Sequence, residues 1–109
     1  MKKIIFFTIA LCVAGAISAR AAESTENWTK HCASCHGKDG KGDTKAGKKA
    51  EVKDLTDAKY QASFTDEQAT TQIKDGMKKD GKERMKPFKD KLTNDEIKAL
   101  VAFLRGLKK

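Results

Sequence analysis

A small all-α domain is what this sequence predicts, and three observations carry that reading. Two capping boxes, Thr65-Asp66-Glu67-Gln68 and Thr93-Asn94-Asp95-Glu96, each stand at the start of an apolar periodic run. The second run places Ile97, Leu100, Val101 and Leu104 at i, i+3, i+4 and i+7, one face of a helix. No segment alternates apolar and polar residues in the way a half-buried strand requires. These signals give three main helices joined by loops.

The chain opens with a segment set apart from the rest. Lys2 and Lys3 precede an apolar stretch from Ile4 to about Ile17, and Ala19-Arg20-Ala21 offers a small-x-small cleavage site. A membrane anchor needs roughly 18 or more apolar residues, and this run is shorter and ends at Arg20. Residues 1–21 are therefore expected to be an export signal and residues 22–109 a single domain. Cys12 follows Leu11, where a lipoprotein signal carries a small residue, so lipidation is not expected.

Such a domain is too short for a large apolar core, so something is expected to supplement it. Of 23 basic residues Lys2, Lys3 and Arg20 leave with the leader, which sets 20 against 15 acidic ones, a net +5. That modest excess argues against nucleic acid and fits a cationic face for an acidic protein partner.

The first helix is expected over Ser24 to about Cys35, with Trp28 its one large apolar residue. Beyond it a polar loop runs from Gly37 to about Lys53, its glycines permitting unusual backbone angles. A short turn of helix fits Asp57 to Gln61. In the second main helix Ala69, Ile73 and Met77 fall four apart, and Gly76 is a suitable stop. Gly81 and Pro87 interrupt the lysine-rich stretch from Met77 to Leu92, so no continuous helix is expected there. In the third, Phe103 and Leu107 broaden the apolar stripe, while Arg105, Lys108 and Lys109 stand at the end where the helix dipole favours cations.

The chemistry concentrates in Cys32-Ala33-Ser34-Cys35-His36. On a helix, offsets of zero, three and four residues fall within about 100° of one another, so both thiols and the imidazole share one face. Three chemistries compete for such a pentapeptide. Structural zinc takes four ligands, and outside this group only His31 is on offer, inside the same cluster and turned from the face of His36. A thioredoxin-like dithiol expects a neighbouring βαβ pattern, and none is present. Covalent haem c uses all three residues: two thioethers from Cys32 and Cys35 and an imidazole from His36 to iron. Two methionines are candidates for the sixth ligand. Met85, in a charged segment stiffened by Pro87, is the expected one, with Met77 as the alternative.

The order of leader, Cys-Ala-Ser-Cys-His, glycine loop, Met85-Lys86-Pro87-Phe88 and C-terminal amphipathic helix resembles the class I cytochromes c, in particular the small soluble bacterial monohaem kind. The resemblance spans essentially all of residues 22–109. It implies a cytochrome c fold, three main helices and loops wrapped around one covalent haem, in which the terminal helices cross. Trp28 is then expected against Leu100 and Phe103. Many members also carry a proline after the histidine, whose carbonyl accepts the proton of the imidazole nitrogen remote from iron. This chain has no proline between Gly37 and Phe64, so another carbonyl of the Lys41–Ala50 loop is expected in that role.

The expected function is a soluble periplasmic electron carrier, not an enzyme, with one haem c, His36 and Met85 as axial ligands, and monomeric. The alternatives are a haem-carrying subunit of a larger respiratory or dehydrogenase complex, or a haem enzyme or sensor in which Met is displaced. Lysines at 78, 79, 82, 86, 89 and 91, with Arg84 among them, are expected to form a rim for redox partners bearing acidic docking surfaces.

Overall fold

The computed structural model describes residues 22–109, so the expected export signal and its boundary lie outside the described residues. From residue 22 a helical run, α1, continues to His36, widened to π geometry over Trp28–Cys32 and closed by the α-helical turn Ala33–His36. The remaining elements are α2 (Lys45–Ala50), α3 (Ala58–Gln61), α4 (Asp66–Asp75), β1 (Met77–Lys79), β2 (Lys82–Met85) and α5 (Asn94–Arg105).

Both capping boxes form. Thr65 and Thr93 accept from the amides of Gln68 and Glu96, and those two side chains accept in return from the Thr65 and Thr93 amides. Each reciprocal pair satisfies donors that a helix start leaves without partners. In α5 the expected stripe of Ile97, Leu100, Val101 and Leu104 is buried, and Ile97 and Leu100 are the most enclosed large side chains. Trp28, Cys32, Leu55, Ile73, Phe88 and Leu92 complete one cluster, with Met85, Phe103 and Leu107 packed against it. The expected contact of Trp28 with Phe103 is present at 5.1 Å between ring centroids.

The link between α3 and α4 is pinned to α5 by side chains that had no assigned partner. Gln61 is buried, and its amide donates to Leu55 O (2.6 Å) and Leu104 O (2.8 Å). Arg105 donates to Phe64 O and to Asp66 at 2.7 Å each, and its guanidinium lies 4.3 Å from the Phe64 ring centroid. A residue expected to serve the helix dipole therefore also fastens two elements together.

Three expectations need correcting. The glycine loop contains a helix, α2, because Thr44 caps it by accepting from Gly47 N at 2.8 Å. The lysine-rich segment is not helical, as expected, but it forms an antiparallel hairpin in a chain expected to lack strands. Asp80 and Gly81 both have positive φ, 55° and 74°, the conformation that a two-residue turn between twisted strands demands. The hairpin carries almost no apolar alternation, so its only sequence signal is the Asp80-Gly81 dipeptide. Met77 is the third correction: it lies beyond Gly76 in β1 and is 38% exposed, so the buried face of α4 ends at Ile73.

Asn27 of α1 reaches across to α5, its amide donating to the Glu96 carboxylate at 3.1 Å. The Thr93 amide, together with the Asn27 side chain, holds the Glu96 carboxyl below the ordinary glutamate range. Removing the cap with Thr93→Ala should lower stability in chemical denaturation by about 1 kcal/mol. A carboxyl depressed in the folded state contributes stability above its unfolded pKa and loses it as pH falls through the folded value. Glu96→Gln should therefore flatten the acid side of the stability profile, and an unchanged acid slope would contradict this linkage.

Candidate cofactor site

The last turn of α1 delivers the pentapeptide. Cys32 is buried, whereas Cys35 and His36 are half-buried, and both cysteines are free thiols. Burial, with Cys35 beside it, pushes the Cys32 thiol up to about 12. A thiol held protonated in this way is a poor thiolate for disulfide exchange. Gly37 ends the helix with φ of 82°, and its amide donates to Ala33 O at 2.8 Å.

Trp28 orients this turn from beneath. Its ring lies 5.7 Å from the His36 ring and 5.1 Å from Phe103, and its indole N–H donates to Gly37 O at 3.0 Å. The π segment begins at Trp28, where the Ala33 amide donates to Trp28 O five residues back. Sequence reasoning anticipated the Phe103 side of this tryptophan and missed the His36 side.

The glycine loop closes over the other side of the turn. The Gly42 amide donates to His36 O and the Thr44 hydroxyl to Cys35 O, each at 2.7 Å, so two carbonyls at the helix end gain partners. Gly47 sits so close that an added Cβ would enter the space of Cys35 O, Gly42 O and the Thr44 hydroxyl. This loop was expected to offer a carbonyl to the imidazole. Instead it presents donors to backbone oxygens, and His36 Nδ1 is buried with no partner. Burial also lowers the His36 pKa, which keeps the imidazole neutral. With Nδ1 sealed inside the protein, Nε2 is the nitrogen left for a metal.

Met85 ends β2, half-buried against the core cluster to which Cys32 belongs. Met77 is its partner across the hairpin, next to a bulge, but is exposed. Beyond Met85 the chain is strapped over the end of α4: the Phe88 amide donates to Ile73 O at 3.0 Å and the Lys89 amide to Lys74 O at 3.1 Å. Gly76, with φ of 76°, makes room for the strap, since a Cβ there would stand 2.5 Å from Met85 O and 2.9 Å from Pro87 N. Arg84 ties the hairpin to the end of α2 through Lys49 O (3.2 Å) and the Glu51 carboxylate (3.5 Å). His31, turned from the face of His36, is half-buried with its ring edge-on to Phe88 at 5.7 Å.

These donors are two thiols, a neutral imidazole and a thioether, a soft set suited to a haem c iron and its thioether attachments. Among the described residues no group of three or more His, Cys, Asp or Glu side chains is arranged to hold a metal ion. The family model described as cytochrome c oxidase, cbb3-type, subunit III matches residues 19–104. The chain belongs to this c-type cytochrome family. Among solved structures, the KustC0563 c-type cytochrome is 41% identical with a TM-score of 0.71, over 79% of this chain and 98% of its own. A tyrosine-to-phenylalanine variant of that cytochrome is 40% identical with a TM-score of 0.69, over 79% and 99%. No curated protein matches the chain. The cytochrome c fold expected from the sequence is thus shown, and with it haem-based electron transfer as the family's chemistry.

Both glycine contacts are testable in this cytochrome. Gly76→Ala meets a left-handed backbone as well as a crowded neighbour, and Gly47→Ala meets backbone oxygens. Each should destabilise the protein by about 1–3 kcal/mol, the range for overpacking and for strained backbone. Thermal melts of these variants beside Gly81→Ala separate the effects, since a Cβ at Gly81 meets nothing within 4 Å and only its φ of 74° opposes the change. Equal losses for Gly76→Ala and Gly81→Ala would mean that backbone angle alone matters at Gly76, and a native melt for Gly47→Ala would mean that its crowding carries no cost.

Proposed function

We propose that this cytochrome is a one-electron carrier holding a single haem c through thioethers from Cys32 and Cys35, with His36 and Met85 as its two axial ligands. The observation that carries the reading is the position of Met85, strapped beside the cluster that contains Cys32 while Met77 stays exposed. When bound, the haem supplies a ferric/ferrous couple. The protein's part is to hold ligand geometry constant between the two states. Trp28 and the glycine loop fix the turn that bears His36, and the strap over α4 fixes Met85. A thioether paired with imidazole raises the reduction potential. If His36 and Met85 both held the iron, no position would be left on it for a substrate, which would fit a carrier rather than an enzyme or gas sensor.

Charge supports docking to acidic partners. Lys78, Lys79, Lys82, Lys86, Lys89 and Lys91 are exposed on the hairpin and the segment after it. Arg84 turns inward and does not belong to that rim. Electron exchange with an acidic partner should slow as ionic strength rises, because exposed charges are screened beyond about 8–10 Å at 0.1–0.15 M salt. The compartment proposed is the periplasm, reached through the leader at residues 1–21. Among the described residues no helix is long and apolar enough to cross a membrane.

A second reading, a haem subunit of a larger respiratory complex, is favoured by the oxidase-subunit description of the matching family. The free carrier is preferred because the match covers nearly the whole of a small solved cytochrome. Purification separates them: a carrier elutes as a monomer from the soluble fraction, and a subunit stays with the membranes.

Met85→Ala should abolish the sulfur-to-iron charge-transfer band of the ferric protein and open the iron to carbon monoxide in the ferrous one. Met77→Ala should leave both unchanged. The reverse result would transfer the ligand role to Met77.

A further inference from the structure

Resting on that ligand assignment, we infer that Arg84 is a positioning residue for Met85: its guanidinium clasps the hairpin to the end of α2, joins the methionine side of the site to the histidine side, and so sets how firmly the sulfur is held on iron. Arg84 directly precedes Met85 at the end of β2, and both side chains turn inward from a strand whose first two residues are exposed. The Arg84 side chain is only 16% exposed. Its Nη1 donates to Lys49 O at 3.2 Å, and its Nη2 stands 3.5 Å from the Glu51 carboxylate. With Nε buried and unpartnered, those two contacts hold the guanidinium. Lys49 O is a carbonyl of the kind that a helix end leaves without an intrahelical partner, so Arg84 brings a donor that α2 itself lacks. Glu51 has a left-handed φ of 60°, a conformation that a residue other than glycine keeps only where its surroundings fix it.

Beyond α2 the link runs on to the imidazole side. The Glu51 amide donates to Gly47 O and Lys48 O and closes the helix. Gly47 lies against Cys35 O, and the Thr44 hydroxyl that caps α2 donates to the same carbonyl at 2.7 Å. A chain of contacts therefore leads from Met85 through Arg84 and α2 to the residue before His36. The strap does not make this connection, since its partners Ile73 and Lys74 belong to α4. The fork shape matters, because a planar guanidinium reaches two acceptors at once whereas an ammonium is a point charge. Ferric iron is harder than ferrous iron and binds a soft thioether less firmly, so loss of the clasp shows first in the ferric protein.

The test compares purified holoprotein of the native sequence with Arg84→Leu, Arg84→Lys, Met85→Ala and Lys98→Gln, the last removing a positive charge from an exposed position of α5. Added imidazole, which competes with the sulfur for ferric iron, is the probe, and loss of the sulfur-to-iron band is the readout. Arg84→Leu should bind imidazole about tenfold more tightly than the native protein, the size of a hydrogen bond to a charged group. Arg84→Lys, which keeps the charge and loses the fork, should recover only part of that difference, and it carries the test if Arg84→Leu fails to fold. Lys98→Gln should match the native protein. Native imidazole affinity in the Arg84 variants, even with lowered melting temperatures, overturns the inference and leaves the ligand assignment standing where Met85→Ala removes the band. Binding in Lys98→Gln as tight as in Arg84→Leu would trace the effect to net charge and overturns it as well. A band that survives Met85→Ala overturns the assignment and the inference with it.

Discussion

One side chain carries the constraint on which the rest of this cytochrome depends. Trp28 is 3% exposed and meets Phe103 of the C-terminal helix on one side and the His36 ring on the other. A buried tryptophan is a large apolar contribution among the 88 described residues, and truncating such a residue costs about 3–5 kcal/mol. Its indole N–H needs an acceptor when buried, and that acceptor is Gly37 O, directly after His36. Core formation and orientation of the turn that bears His36 therefore become the same event. The helix that the capping box at Thr93 starts presents Phe103, Phe103 seats Trp28, and Trp28 seats the turn that holds the imidazole.

The opposite side of the site is built by different means. Met85 packs against the edge of the core cluster. It is placed by backbone, through two amide bonds to the end of α4 and a glycine that permits close crossing. Half of the proposed site is thus fixed by the core and half by a strap whose neighbours are exposed lysines. The hairpin before the strap exposes its lysines while Arg84 and Met85 turn inward, which sets the charged surface next to the methionine side of the proposed haem. In an electron carrier this arrangement is useful, because the rigid part keeps the ligand set constant while the exposed part meets the partner.

Much of this was readable in the residues. The capping boxes and the 3.6-residue period fixed α4 and α5, since both depend on local pattern. The pentapeptide announced its chemistry because so few cofactors need two thiols and an imidazole on one helical face. What escaped reading depends on contacts across the chain. Trp28 against His36 and Asn27 against Glu96 connect residues through a helix crossing that only the fold supplies. The hairpin escaped because its strands are short and charged, and pairing there rests on the Asp80-Gly81 turn rather than on burial. The role of the Lys41–Ala50 loop was inverted: an acceptor was sought for the imidazole, whereas Gly42 and Thr44 bring donors to the helix-end carbonyls. Met85 was the expected ligand and Met77 the alternative, and the greater exposure of Met77 supports the proposal of Met85.

The central claim is that His36, held by Trp28, and Met85, held by the strap, close both sides of one covalent haem without rearrangement on reduction. A potentiometric titration of the purified protein monitored by visible absorption tests it most directly. The account predicts a single one-electron transition, with low-spin c-type bands in the oxidised and the reduced protein. Two transitions, or a high-spin spectrum in either state, would contradict it.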